Sequence, residues 1–198
     1  MEKQIILAAE ELFLEKGFTR TSTTEIAKRA GCNQALVHYY FRTKENLFRK
    51  LFEDKFSMFI ESITIDSVCK RGLCERIENI VNRHIDFLCN NPGLPLLMLS
   101  EISRNREKID FVFGKMKVHS VHIVGQLELD IKKEYEEGKI RQVNAFDLLF
   151  SILSLNIFMF IAQPMVMSVR EMTEEDYSAF ITSRREEIVK TVIGGIYL

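Results

Sequence analysis

Apolar positions in the first third of the chain recur at helical spacing. Ile5, Ala8, Ala9, Leu12 and Phe13 fall three and four apart and share one face of a helix over about 2–16. Gly17 follows at the position that favours a left-handed residue, which stops the helix. Ser22-Thr23-Thr24-Glu25 is a capping box: the Ser22 hydroxyl accepts from the Glu25 amide and the Glu25 carboxylate reaches back. It predicts a second helix with Ile26, Ala27 and Ala30 inward, ended by Gly31 after two turns. Asn33 caps a third helix over 34–40, anchored by Leu36 and Val37. Thr43 caps a fourth, in which Leu47, Phe48, Leu51, Phe52, Phe56, Phe59, Ile60 and Ile63 make a continuous apolar stripe. That helix is too long for a small N-terminal bundle alone and is expected to link two domains as a rod.

The rest of the pattern is also helical. A helix over 74–89 is stopped by Asn90-Asn91-Pro92-Gly93; others cover 96–104 and 107–137, the latter closed by Gly138. An apolar helix covers 144–162, and an amphipathic one covers 174–193 after a loop containing Pro164. Nine glycines and three prolines in 198 residues leave few turn signals, which favours helices over many short strands. The expected fold is all-α: a three-helix N-terminal domain over 1–46 and a larger helical domain over 47–198. The run 145–167 raises the question of a membrane span. Asp147, Asn156 and Gln163 interrupt it, Pro164 ends it and no basic flank anchors it, so a helix buried in a core or interface is expected and no membrane partner.

Charge is uneven along the chain. Residues 1–50 hold nine Lys and Arg against six Asp and Glu, while 51–198 hold 18 against 22. A basic end on an acidic body suits a protein that meets a polyanion with one end. Cys32, Cys69, Cys74 and Cys89 form no CxxC pair and no signal peptide precedes the first helix, so reduced thiols and a cytoplasmic location are expected. No glycine-rich phosphate loop, nucleophile elbow, HExxH or paired-cysteine site is present. No catalytic residue, cofactor or metal is assigned on the sequence.

The second and third helices carry the chemistry. A DNA-reading helix must be short, exposed and held by a helix crossing behind it. Ala30 and Gly31 are expected to let the two helices approach closely. With Leu36, Val37 and Phe41 inward, Gln34, Ala35, His38 and Tyr39 face out. Glutamine pairs bidentately with adenine, alanine meets a thymine methyl, and histidine donates to guanine or phosphate. Tyr39, Tyr40 and Lys44 are placed to meet phosphate oxygens, and the Thr43–Lys44 helix start adds its free amides.

These residues resemble the TetR family of transcriptional repressors. The family pairs a capped Ile-Ala-x-x-Ala-Gly helix with a Leu-Tyr-x-His-Phe-x-x-Lys-x-x-Leu segment. Here the matching residues are Ile26, Ala27, Ala30 and Gly31, then Val37-His38-Tyr39-Tyr40-Phe41 with Lys44 and Leu47. The resemblance covers about the first 50 residues and implies DNA contacts at Thr23, Thr24, Gln34, Ala35, His38, Tyr39, Tyr40 and Lys44. His38 stands where the family usually has Tyr, and Tyr40 where it has His, which leaves open which meets phosphate and which a base edge.

The resemblance also implies a C-terminal domain that binds an inducer and dimerises through its last two helices on a palindromic operator. The residues agree. Phe180, Ile181, Ile188, Val189, Val192 and Ile193 share one face of the last helix, and Phe146, Leu149, Phe150, Leu153, Phe158 and Phe160 point several ways from the apolar one. A two-fold dimer sets two reading helices about 34 Å apart. The expected lining for a small hydrophobic inducer is His84, Phe87, Met98, Glu101, Phe111, Phe113, Met116, His119, His122, Asn156 and Met159, with plain core as the alternative for each. The expected function is a homodimeric repressor of double-stranded operator DNA, released by that inducer. A helical adaptor or a helical enzyme that does not read DNA is the alternative.

Overall fold

A computed structural model of the chain describes residues 1–64, 72–102, 121 and 123–198. Among these, α1 is Glu2–Lys16, α2 Thr23–Arg29, α3 Gln34–Phe41, α4 Lys44–Thr64, α5 Leu73–Cys89 and α6 Leu94–Ile102. Helix α7 covers 123–136, and α8 Ala145–Ile161, α9 Gln163–Arg170 and α10 Glu174–Gly194 complete the all-α fold.

The helix ends follow from their caps. Gly17 ends α1 at φ 82°. Ser22 and Glu25 form the full capping box of α2, and the Asn33 side chain accepts from the Leu36 amide at 3.0 Å. The Thr43 hydroxyl accepts from the Asn46 amide at 3.1 Å to open α4, and Asn144 opens α8 by accepting from Phe146 and Asp147. Thr173 and Asp176 form a second capping box at α10.

The chain divides into two compact units. The first takes Met1–Met58 and the segment from Leu96, so it contains all of the expected 1–46 domain, but the division falls within α4. Its core is Ile5, Ala8, Ala9, Leu12, Phe13, Phe18, Ile26, Ala27, Val37, Phe41, Leu47, Phe48, Leu51 and Leu97. Phe18 stands 5.4 Å from the Phe13 ring and 5.1 Å from Phe48, tilted and edge-on, the offset geometry that ring quadrupoles favour.

The second unit takes Phe59–Pro95 and the chain after Lys117, with a core from α5, α7, α8 and α10 centred on Ile77, Val81, Ile85, Leu127, Ile152 and Ile188. Helix α5 starts without a side-chain cap of its own at Gly72. Glu134 of α7 supplies it, accepting from the Leu73 amide at 3.0 Å and from the Tyr197 hydroxyl. The Arg141 amide donates to the Ile196 carbonyl at 2.9 Å beside an antiparallel bridge between Ile140 and Tyr197.

Two expectations are corrected here. Pro164 does not sit in a loop: it lies in the first turn of α9, where a missing N–H removes no helical hydrogen bond. The apolar face of α10 is partly consumed within the chain itself, since Ile188 and Val192 are buried in the body core. Among the described residues no single helix is long and apolar enough to cross a membrane, and α8 and α9 are bent 61° from one another.

Candidate nucleic-acid interface

The Ile26, Ala27, Val37 and Phe41 side chains hold α2 and α3 to the first unit's core, each under 10% exposed. Leu36, expected inward, is half-buried. The turn between the helices depends on Gly31 for its backbone, at φ 68°. A Cβ there would meet nothing within 4 Å, so close helix approach is not what the glycine provides.

This packing leaves Gln34, Ala35, His38, Tyr39 and Tyr40 exposed on α3, Thr24 exposed on α2, and Thr23 and Lys44 half-buried. Tyr39 is 78% exposed, against 39% for Tyr40, and packs edge-on to it with ring centroids 5.2 Å apart. The polar side chains between them are linked. Gln34 Nε2 donates to Thr23 Oγ1 at 3.0 Å and lies 3.4 Å from His38 Nε2. His38 Nδ1 lies 2.9 Å from the Arg42 carbonyl, which only accepts, so the proton of the neutral ring sits on Nδ1.

The α3–α4 junction is strained. Arg42 takes φ 64° and ψ −48°, and the Thr43 amide donates to the Phe41 carbonyl at 2.7 Å, a γ-turn of the rare hand. Lys44 differs from its sequence reading. Its ammonium donates to the Phe18 carbonyl at 2.8 Å and the Thr21 carbonyl at 2.7 Å, and stands 4.3 Å from the centre of the Phe18 ring. It ties the α1–α2 loop to the start of α4. Lys28 and Arg42, not singled out in the sequence, are both exposed. A cation at the C-cap beside the reading helix was the signal available for Arg42.

Several other charges in this unit form ion pairs. Arg29 bridges Glu11 and Glu15 at 2.9 Å each, and Lys16 meets Glu25. The Lys16 ammonium first, then the Ser22 hydroxyl and amide, hold the Glu25 carboxyl down at about 2.

In the body, the structure brings together part of the expected ligand set. Asn156 is fully buried and His84 nearly so; Asn156 Nδ2 donates to the Val81 carbonyl at 3.2 Å and lies 3.2 Å from His84 Nδ1. The Phe59 ring lies 4.8 Å from His84 and 5.4 Å from Phe87, and Met159 is buried in the same core. Burial pushes His84 down to about 3, which keeps the ring neutral. Among the described residues, the Asn156 Oδ1 atom is buried without a hydrogen-bond partner. Met98 instead packs against the first unit's core. Phe111, Phe113, Met116, His119 and His122 lie outside the described residues, as does the Glu101 side chain.

The apolar helix keeps an open stripe. Phe146, Phe150 and Phe158 of α8 are each more than 60% exposed, and Phe146 stacks on Phe150 at 6.2 Å. Beside them runs a groove of about 410 Å³ lined by Asp147, Ser151 and Leu155 of α8, Thr191 and Gly195 at the end of the chain, and Arg141.

Residues 5–51, which carry all of these α2–α3 features, match the bacterial regulatory proteins of the tetR family. The match covers this N-terminal segment, which is similar to the DNA-binding domain of that family. The chain is 30% identical over 111 residues to the fatty acid metabolism regulator protein of Bacillus subtilis, covering 54% of this chain and 57% of that protein. The chain thus spans little more than half the length of that relative. Its fold is shared with the transcriptional regulator FadR from Bacillus subtilis in complex with stearoyl-CoA, at TM-score 0.69 and 23% identity over 96% of this chain and 98% of the other. It is shared too with AibR in complex with isovaleryl coenzyme A and operator DNA, at TM-score 0.71 and 17% identity over 96% of each.

Proposed function

We propose that the protein is a homodimeric transcriptional repressor that binds a palindromic operator through α2 and α3 and is released by a small hydrophobic ligand, an acyl-coenzyme A thioester. The observation that carries the DNA reading is the capped α2–turn–α3 unit with Gln34, Ala35, His38 and Tyr39 on one exposed face. Base readout falls to Gln34 and Ala35, with Thr23 and His38 holding Gln34. Thr24, Tyr39, Tyr40, Lys28 and Arg42 serve the phosphates.

The ligand reading rests on the body's polar pair. A buried carbonyl without a donor costs about 1–3 kcal/mol, a cost that a ligand N–H or O–H removes on binding. His84 and Asn156 supply the polar point, and Phe59, Phe87 and Met159 the apolar surface around it. Acyl-coenzyme A ligands of two structural neighbours fit that composition, because their pantetheine arm carries amide N–H groups. Homodimerisation is supported by the Phe146–Phe150–Phe158 stripe, with the adjoining groove as a concave seat for a second copy. Helix α4 contributes residues to both units, so it is a covalent route by which a ligand preferring one body conformation shifts the DNA-competent population.

A salt-dependent titration against the DNA upstream of the protein's own gene tests this, with and without stearoyl-CoA. Expected are sequence-selective binding that falls steeply with salt, release by the thioester, and a dimer in sedimentation that Phe150→Asp dissociates. Binding with no preference over random duplex would overturn the repressor reading. Selective binding indifferent to stearoyl-CoA would remove the acyl-thioester class while leaving DNA reading intact.

A further inference from the structure

The hydrogen-bonded chain Thr23–Gln34–His38–Arg42 limits what the reading helix can offer a base. A primary amide carries two N–H donors on nitrogen and an acceptor on oxygen. One Gln34 hydrogen is taken by Thr23 Oγ1 at 3.0 Å, and the other faces His38 Nε2 at 3.4 Å. His38 Nε2 is an acceptor because its ring proton is committed to the Arg42 carbonyl. The Arg42 carbonyl belongs in turn to the γ-turn that joins α3 to α4, so the far end of the chain is fixed in the backbone. Both donors of Gln34 therefore have partners inside the protein, and its Oε1 is the polar atom left for DNA.

We infer that Gln34 reads the major groove as an acceptor alone. It selects an amine-bearing base edge, adenine N6 or cytosine N4 on the contacted strand, instead of pairing bidentately with adenine. This rests on the reading of α3 as the DNA-contacting helix. Bidentate recognition of adenine needs an N–H for N7 as well as an acceptor for N6. With the N–H groups held, N7 goes unread and the distinction between adenine and cytosine fades. Guanine O6 and thymine O4 set an acceptor against Oε1 and are rejected. His38 is thereby a positioning residue, and the exchange of Tyr and His relative to the family pattern acquires a consequence: the ring at 38 orients a base reader from one turn away.

The test is selection of binding sites from a random duplex pool by the full-length protein, compared among wild type, His38→Phe and Gln34→Lys. Wild type should take adenine and cytosine within about threefold of each other at one motif position, and prefer both over guanine and thymine by about tenfold, the lower end expected of a specific base contact. Phenylalanine at 38 frees an amide hydrogen, so the same position should narrow to adenine, about tenfold over cytosine. Lysine at 34 replaces the acceptor by donors and should turn that position to guanine or thymine. Thermal melts check that each variant folds, and Thr23→Val, which breaks the other restraint, should also narrow the position to adenine. A wild-type motif that takes adenine and refuses cytosine overturns the proposal, as does an unchanged position in both His38→Phe and Thr23→Val. Failure of the underlying reading looks different: wild type enriches no motif, or Gln34→Lys alters no position.

Discussion

In the reading unit the polar side chains lie at the surface and are joined in a row, Thr23 to Gln34 to His38 to the Arg42 backbone. In the body the corresponding pair, His84 and Asn156, is enclosed by Phe59, Phe87 and the α5–α8 core, and one acceptor is left without a partner among the described residues. If the proposed function holds, the first arrangement fixes side-chain geometry before DNA arrives, which lowers the ordering cost of recognition. On the same proposal, the unpartnered acceptor of the second gives a donor-bearing ligand differential free energy to act with. On the proposed function, a rigid reader and a body with an unsatisfied polar site are complementary requirements.

The largest effects should come from core truncation, and they should tell whether the two units unfold together. Ile26→Ala in the reader and Ile188→Ala in the body each remove a side chain with no exposure, at a cost of about 2–5 kcal/mol. Urea unfolding followed by separate probes on the two units reads this out. A loss under 1 kcal/mol in either variant would contradict the burial on which the comparison rests.

The pH response should separate the units next. His84 has its folded value depressed to about 3 from an ordinary 6.5, so the unfolded chain binds the extra proton first. The stability it contributes is complete above about 6.5 and declines as pH falls toward 3, by up to roughly 1.4 kcal/mol per pH unit. In the reader, Glu25 is depressed from 4.5 to about 2, so its contribution is complete above 4.5 and lost only as pH falls toward 2. Melts between pH 7 and 4.5 should therefore weaken the body and spare the reader, and His84→Phe should flatten that slope. An equal slope in the variant would remove His84 as the cause.

Smaller effects sharpen the contrast. Ser22→Ala removes the hydroxyl of the α2 capping box and should cost about 0.5–2 kcal/mol, with weakened DNA binding because α2 supports α3. Asn156→Leu exchanges a half-satisfied buried amide for a side chain of similar size. Its stability should shift by less than about 1 kcal/mol while release of DNA by stearoyl-CoA is lost. Calorimetry and a DNA-release assay on the same preparation check both halves; a strongly destabilised variant would assign Asn156 to architecture instead of ligand recognition.

The reader was largely legible in the sequence because its signals are local. Ser22 with Glu25, Asn33 with Leu36, and Thr43 with Asn46 are caps between residues three apart, and Gly17 and Gly31 answer to their own backbone angles. The outward set on α3 followed from helical period once Val37 and Phe41 were assigned inward. Partners distant in the chain were not legible. Lys44 reads as a phosphate ligand until the Phe18 and Thr21 carbonyls, more than twenty residues away, are seen to hold it. Pro164 reads as a terminator because its tolerance in a first turn depends on where the next helix begins.

The sequence by itself determined the first three helices, their caps, the exposed face of α3 and the tetR-type pattern, since each depends on residues within a turn or two; most of the expected 107–122 stretch lies outside the described residues. Only the tertiary structure decided that Asn156 meets His84 across 72 positions, that Met98 joins the reader's core, and that α10 spends Ile188 and Val192 inside the chain's own core. Helical period identifies an apolar face but carries no address for the surface it will cover. That address is set by packing among elements far apart in the chain, where shape and buried area choose the partner.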